Sequence, residues 1–243
     1  MTNWNDKRLN GRLIQLYQRG ITDYGIIADK LSEEFGLDIS VKAVDSRLFV
    51  LKKEGMLGHW LDNSAVTFLD IETTDFSADI GVMLSWAIKY PGEDKVYSDV
   101  VTKKELFEGK MDRRIVESLI EEIKKADALV TYFGTGFDNT FMRTRALILD
   151  IPFPAYGSIY HYDVYFTARS KLKLHSKRLD SVAKALGCKH QKTPVDISVW
   201  QKARWGDKTA LNYIVDHNKG DVYVLEEVYE KLRPFVQVTR KSI

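Results

Sequence analysis

Residues Ala65-Val66-Thr67-Phe68-Leu69-Asp70-Ile71-Glu72-Thr73-Thr74 decide the fold. Ala65 to Ile71 is a short apolar run of the length of a buried strand. It closes on two carboxylates, although an isolated charge is costly to bury. Asp70 and Glu72 are two positions apart, so on a strand they project from one face. A cation held between them would neutralise both. The plainer reading, a strand leaving the core for solvent, competes with this as long as the stretch is taken alone.

Upstream, the periodicity is helical. Asn5 or Asp6 is suited to cap a first helix with Leu9, Leu13, Ile14, Leu16 and Tyr17 on one stripe and Gly20 as its stop. Thr22 or Asp23 would cap a second, with Ile26, Ile27, Leu31 and Phe35 apolar and Gly36 at its end. Ser40 would cap a third, with Val44, Leu48 and Leu51 inward and Gly55 as its stop. Helices this short need one another to bury their apolar faces, which predicts a trihelical bundle of the helix-turn-helix kind over residues 1–58. Gly58 to Asn63 would be a short linker.

Downstream, strands are expected at Ile80 to Tyr90 and Lys95 to Val101, joined by the Pro91-Gly92-Glu93-Asp94 turn. A helix follows at Arg113 to Lys125, a strand at Ala128 to Phe133, a helix at Phe137 to Leu149 and a strand at Ile159 to Val164. Helices at Leu179 to Leu186, Lys208 to His217 and Asp221 to Leu232 complete the pattern. The order predicts a mixed α/β sheet flanked by helices over residues 64–243.

Composition narrows the function classes. Hydrophobic residues at 44% and charged residues at 29% exclude wholesale disorder. The net charge of +2 permits nucleic-acid binding without requiring it. The single cysteine, Cys188, excludes an internal disulfide and a thiolate cluster, and reads as a small side chain near a helix end. No apolar run approaches the ~20 residues of a membrane span. The N-terminal residues hold no secretory apolar stretch, so a cytoplasmic protein without a membrane partner is expected.

Two further acidic elements matter. Gly136-Phe137-Asp138 follows the apolar run 128–133, which puts a carboxylate at a strand's C-terminal rim, where ligands of α/β sheets bind. In His217-Asn218-Lys219-Gly220-Asp221, His217 and Asp221 share a face if the segment is helical, pairing an imidazole with a carboxylate. Gly220 argues for a break there. Each alone also fits a helix cap. Together the three elements supply the carboxylate cluster that metal-assisted phosphodiester hydrolysis needs.

In this order the motifs resemble the DEDD 3′–5′ exonucleases, of RNase H-like fold, and more narrowly their YprB-like branch. The resembling pieces are Leu69-Asp70-Ile71-Glu72-Thr73, Tyr132-Phe133-Gly134-Thr135-Gly136-Phe137-Asp138, His161-Tyr162-Asp163, Leu179 to Gly187 and His217 to Val222. The resemblance spans residues 65 to 233. It implies an RNase H-like domain, metal ligation by Asp70, Glu72, Asp138 and Asp221, two Mg²⁺ or Mn²⁺ ions, and His217 as general base. The chain departs from the family pattern in two places. Three residues separate His217 from Asp221, the spacing of relatives that carry Tyr, and Phe133 stands where an Asn is common.

Nucleic acid, DNA ahead of RNA, is the expected partner. Lys171, Lys173, Lys177 and Arg178 belong to a basic stretch beginning at Arg169, and Tyr160, Tyr162, Tyr165 and Phe166 precede it. The third N-terminal helix would present Lys42, Asp45, Ser46, Arg47, Lys52 and Lys53 to a major groove. Asp163 is a second-tier candidate for orienting a ligand, while Asp75 and Asp79 are expected in solvent. The rival readings are a structure-specific endonuclease of the same fold and an inactive DNA-binding regulator.

Overall fold

The computed structural model describes residues 2–18, 21, 23–53, 66–109, 111–235 and 242–243. The expected roles of Gly20, Thr22, Gly55, Ala65, the 58–63 linker and the Lys52 and Lys53 side chains lie outside them. The chain divides into two compact units, Met1–Ala65 and Val66–Ile243.

The first unit holds helices α1 (Lys7–Gln18), α2 (Tyr24–Phe35) and α3 (Val41–Lys53). Their apolar stripes meet as the spacing predicts: Leu9, Leu13, Leu16, Ile27, Leu31, Val44, Leu48 and Leu51 form one buried cluster. Asp23 caps α2 by accepting the Gly25 and Ile26 amides. Asp6 and Ser40 accept the Arg8 and Ala43 amides at 2.8 and 3.2 Å, satisfying helix-start donors that otherwise go unpaired. Arg12 pairs with Glu34 at 2.8 Å, and Arg47 Nε donates to Asn10 at 2.9 Å, so both tie helices together.

The second unit contains strands β1 (Val66–Thr73), β2 (Met83–Lys89), β3 (Val96–Val100), β4 (Ala128–Thr131) and β5 (Tyr160–Asp163). They form one mixed sheet in the order β3-β2-β1-β4-β5, with β1 to β3 antiparallel and β4 and β5 parallel to β1. Helices α4 (Lys103–Phe107), α5 (Arg113–Ile123), α6 (Asp138–Ile148), α7 (Val164–Lys171), α8 (Leu179–Ala185), α9 (Ile197–Arg204) and α10 (Lys208–Leu232) surround it, and a 3₁₀ turn follows at Arg233–Phe235. Alternation along β1 sends Leu69 and Ile71 into the buried cluster with Trp86, Leu119, Leu129 and Phe141. Phe68 faces the other way and meets Tyr229 of α10 edge to face, with centroids 5.4 Å apart. No described helix is long and apolar enough to cross a membrane.

Several expected elements are corrected. β2 begins at Met83, not Ile80, because Thr74 exchanges two hydrogen bonds with Val82, each 2.9 Å long, and closes a loop that leaves Ile80 exposed. The basic stretch is not all loop: Arg169 and Lys171 form the last turn of α7, where cations suit the helix dipole. Helices α4 and α9 are additions to the expected elements: Thr102 and Glu105 form a capping box at the start of α4, and Asp196 caps α9 by accepting the Ser198 amide. The expected break at Gly220 is absent, since α10 runs unbroken for 25 residues. One interior glycine costs about 1 kcal/mol, and the burial of the apolar Ile214, Val215, Val222, Val224 and Leu225 around it outweighs that.

Candidate active site

The site lies where β1 outruns β4. Parallel pairing between them ends at Phe68 with Val130, whereas antiparallel pairing with β2 continues to Thr73. Beyond Phe68 the Ile71 amide donates to Asp138 Oδ1 at 3.2 Å, so the first residue of α6 fills the vacated edge. Asp70 and Glu72 project from the opposite face of β1 to Ile71, toward α10. From that helix Asn218 donates to Asp70 Oδ2 at 2.6 Å while accepting from Ser85 Oγ at 3.1 Å, which fixes the Asp70 carboxylate to β2. His217 Nε2 lies 3.6 Å from Asp221, as four-residue helical spacing allows, and 3.4 Å from Glu72 across to β1.

Asp138 is carried by the loop after β4. Its turn is tight: a Cβ on Gly134 would stand 2.2 Å from Thr131 Oγ1, so only glycine fits. Asp163 accepts the Phe133, Thr135 and Tyr165 amides at 2.8, 3.0 and 3.1 Å. It therefore shapes the loop that delivers Asp138 and caps α7. Asp79 is exposed as expected, while Asp75 is half-buried, its carboxylate accepting the Ser77 amide at 3.1 Å. Cys188 is buried just past α8.

The structure brings all four candidate carboxylates within electrostatic reach of one another. Burial first, and then repulsion from Asp221, Glu72 and Asp138, raises the Asp70 pKa well above the carboxylate range. Burial raises Glu72 to about 8 and Asp138 to about 7. Burial lowers His217, which keeps its imidazole neutral. Sequence reasoning missed the balancing cation: Lys192, in the loop between α8 and α9, donates to Asp221 Oδ2. Burial opposes its charge, but Asp70, Asp221 and Glu72 together hold its pKa above the usual lysine range. Nothing in Gln191-Lys192-Thr193-Pro194 marks it, because the pairing spans 29 positions. Asn218 carried a signal, being within the same helical turn as His217 and Asp221.

The donor set fits a divalent cation. Ligand atoms of Glu72, His217 and Asp221 all lie within 4.8 Å of one another. Asp221 Oδ1 is buried without a hydrogen-bond partner, and so is His217 Nδ1. The carboxylate oxygens are hard donors of the kind a divalent cation accepts, and the His217 imidazole stands beside them.

This chemistry has a consequence for stability. Carboxylates with raised pKa values bind protons in the folded chain that the unfolded chain has already released. Their stabilising contribution is whole below about pH 4 and is lost as pH rises through about 7 to 8. His217 opposes the trend near its own range, one group against three. The metal-free protein should melt at a lower temperature at pH 8 than at pH 5.5, and Mg²⁺ or Mn²⁺ should raise the melting temperature more at pH 8. A melting temperature with the opposite slope in EDTA would contradict the arrangement.

A cleft of about 930 Å³ opens on the cluster. Asp70, Glu72, His217 and Lys192 lie in its wall together with Lys177, Arg178, Phe76, Phe133, Tyr165 and Trp200. Lys171 and Lys173 are exposed but outside that wall, and Arg47 belongs to the other unit.

The RNase H superfamily model matches residues 67–233. No curated protein matches the chain. Among solved structures, the family B DNA polymerase from the hyperthermophilic archaeon Pyrobaculum calidifontis is similar in fold, at 20% identity and a TM-score of 0.58. That match covers 71% of this chain and 25% of the polymerase, so the chain spans about a quarter of the polymerase's length. With its mixed five-stranded sheet and a family match over most of its length, the chain belongs to the RNase H superfamily.

Proposed function

We propose that residues 66–243 are a metal-dependent nuclease that hydrolyses nucleic acid from the 3′ end with two Mg²⁺ or Mn²⁺ ions. Within the superfamily its kin would be the DEDD exonucleases of the YprB-like branch. The observation that carries the reading is the electrostatic convergence of Asp70, Glu72, Asp138 and Asp221, from β1, α6 and α10, with Asp70 and Glu72 in the wall of a basic, aromatic cleft and Asp138 and Asp221 buried behind it. Repelling carboxylates with an unpartnered buried oxygen are a poor structural choice and a good cation site.

The four carboxylates would hold the ions, which when bound polarise the phosphate and make the attacking water more acidic. Asn218 keeps Asp70 aimed at the cluster. Neutral His217 is ready to take a proton from the attacking water. Lys192, Lys177 and Arg178 offer positive charge to the phosphates along the cleft. The helical unit 1–58 would bind DNA through the exposed residues Lys42, Asp45 and Ser46 of α3. DNA is the preferred substrate over RNA in this reading.

The test is a cleavage assay on 5′-labelled single-stranded DNA and RNA with Mg²⁺, Mn²⁺ or EDTA. A ladder shortening from the 3′ end with metal, and an untouched closed circle, is the expected result. Nicking of the circle would make the protein an endonuclease of the same fold. Absence of cleavage in every condition, with a gel shift on duplex DNA, would make it a binding module.

A further inference from the structure

A second cavity, of about 190 Å³, lies outside the catalytic cleft and shares no lining residue with it among the described residues. Thr135, Asn139, Thr140, Arg143, Tyr156 and His161 line it. They come from the loop before α6, from α6 itself, from the loop before β5 and from β5. The Asn139 side chain is the feature that the fold does not explain. Asn139 is 3% exposed, and its Oδ1 is buried without a hydrogen-bond partner. A buried amide oxygen left unsatisfied is costly, so folded chains rarely keep one. The neighbouring acidic cluster does not account for it, because the Asp138 carboxylate accepts the Ile71 amide instead. His161 does not satisfy it through Nε2, which is engaged with Thr131 Oγ1 at 2.8 Å.

The rest of the lining is made of donors. One turn along α6 from Asn139, the Arg143 guanidinium lies over Phe153, 5.8 Å from the ring centre. Among the described residues no carboxylate lines the cavity. The start of α6 has no side-chain cap, and Asn139 and Thr140 belong to that first turn, so the positive end of the helix dipole favours an anion there. Thr135 and Tyr156 add hydroxyls, both from exposed positions. A water would satisfy Asn139 but would bring Arg143 no counter-charge. The ligand that meets both is an anion that also carries a hydroxyl. A phosphate monoester is one, since its second pKa of about 6 leaves a P–OH group on part of the population near neutral pH. A phosphodiester or a sulfate has no proton to give. We infer that this cavity binds a phosphate monoester, with Arg143 on its charged oxygens and its P–OH donating to Asn139 Oδ1. Its source is a free nucleoside monophosphate or the phosphorylated end of a strand. None of the four candidate metal ligands lines the cavity, so the inference stands apart from the nuclease reading.

Calorimetric titration of the full-length chain in EDTA tests it, with inorganic phosphate, sulfate, adenosine 5′-monophosphate, and one short oligonucleotide with and without a 5′-phosphate. Phosphate should bind about tenfold or more tightly than sulfate, the difference that one charge-assisted hydrogen bond makes. Arg143→Gln and Asn139→Ala should each weaken phosphate about ten- to hundredfold, whereas Arg178→Gln in the cleft wall should leave it unchanged. Asn139→Ala should melt no lower than the wild type, because an amide oxygen without a partner contributes nothing to the fold. Binding of adenosine monophosphate with no gain from the 5′-phosphate on the oligonucleotide assigns the cavity to free nucleotides, and a clear gain assigns it to strand ends. Sulfate binding as tightly as phosphate, phosphate binding lost in Arg178→Gln but kept in Arg143→Gln, or no phosphate binding at millimolar concentration would overturn the site. A marked fall in the melting temperature of Asn139→Ala would make that side chain structural and overturn it as well.

Discussion

Asp138→Asn should reduce metal-dependent cleavage by more than about a hundredfold while leaving the protein folded. Groups that merely orient a metal ligand already cost 10–100-fold when removed, and a ligand itself should cost more. The fold should survive because the amide oxygen of Asn can still accept the Ile71 amide that Asp138 Oδ1 accepts at 3.2 Å. One repelling charge also leaves the cluster, since Asp138 helps to raise the pKa values of Asp70 and Glu72. The variant should therefore melt no lower than the wild type in EDTA, and should gain less from added Mg²⁺ or Mn²⁺. Asp70→Asn should behave alike. Full activity in both variants would remove the cluster from the chemistry, and a collapse in EDTA would make Asp138 a structural residue.

Arg145→Ala should be the most damaging single change to stability, costing about 3–5 kcal/mol. Asp112 and Arg145 are 0% and 3% exposed. The guanidinium donates to both Asp112 oxygens, at 2.9 and 2.5 Å, and to the Ala78 carbonyl at 3.0 Å. Asp112 also accepts the Met83 amide at 2.8 Å. One pair thus joins α6, the start of α5, the start of β2 and the loop that carries Phe76. Removing the arginine strands a buried carboxylate with no counter-charge, whereas removing Lys124 from its exposed pair with Glu121 should change stability by less than about 1 kcal/mol. At roughly 2–4 °C per kcal/mol for a domain of this size, the expected fall in melting temperature is about 10 °C. Asp112→Asn combined with Arg145→Met should recover part of it, because no charge is then left unpaired. A loss no larger than that of Lys124→Ala would show the pair to be dispensable.

What was legible in the chain follows from the range of the interactions involved. The apolar stripes of α1, α2 and α3 and the Asp23 cap are set within four residues, so periodicity alone places them. The alternation that puts Asp70 and Glu72 on one face of β1 is equally local. So is the four-residue spacing of His217 and Asp221, once the segment is helical. The expected break at Gly220 failed because intrinsic propensity is a small term beside the burial of the residues around it. Lys192 was invisible for a different reason. Its place is set by attraction to carboxylates on β1 and α10, and no local pattern encodes that. Asn218 reaches Asp70 across 148 positions, and Phe133 is held by Asp163 at the end of another strand. The sequence by itself determined the mixed α/β class and the choice of candidate acidic residues, because backbone periodicity and the cost of burying charge act within a few residues. Only the tertiary structure decided the counter-ion, the orientation of the carboxylates and the exposed ring, because these depend on which distant segments the sheet brings together.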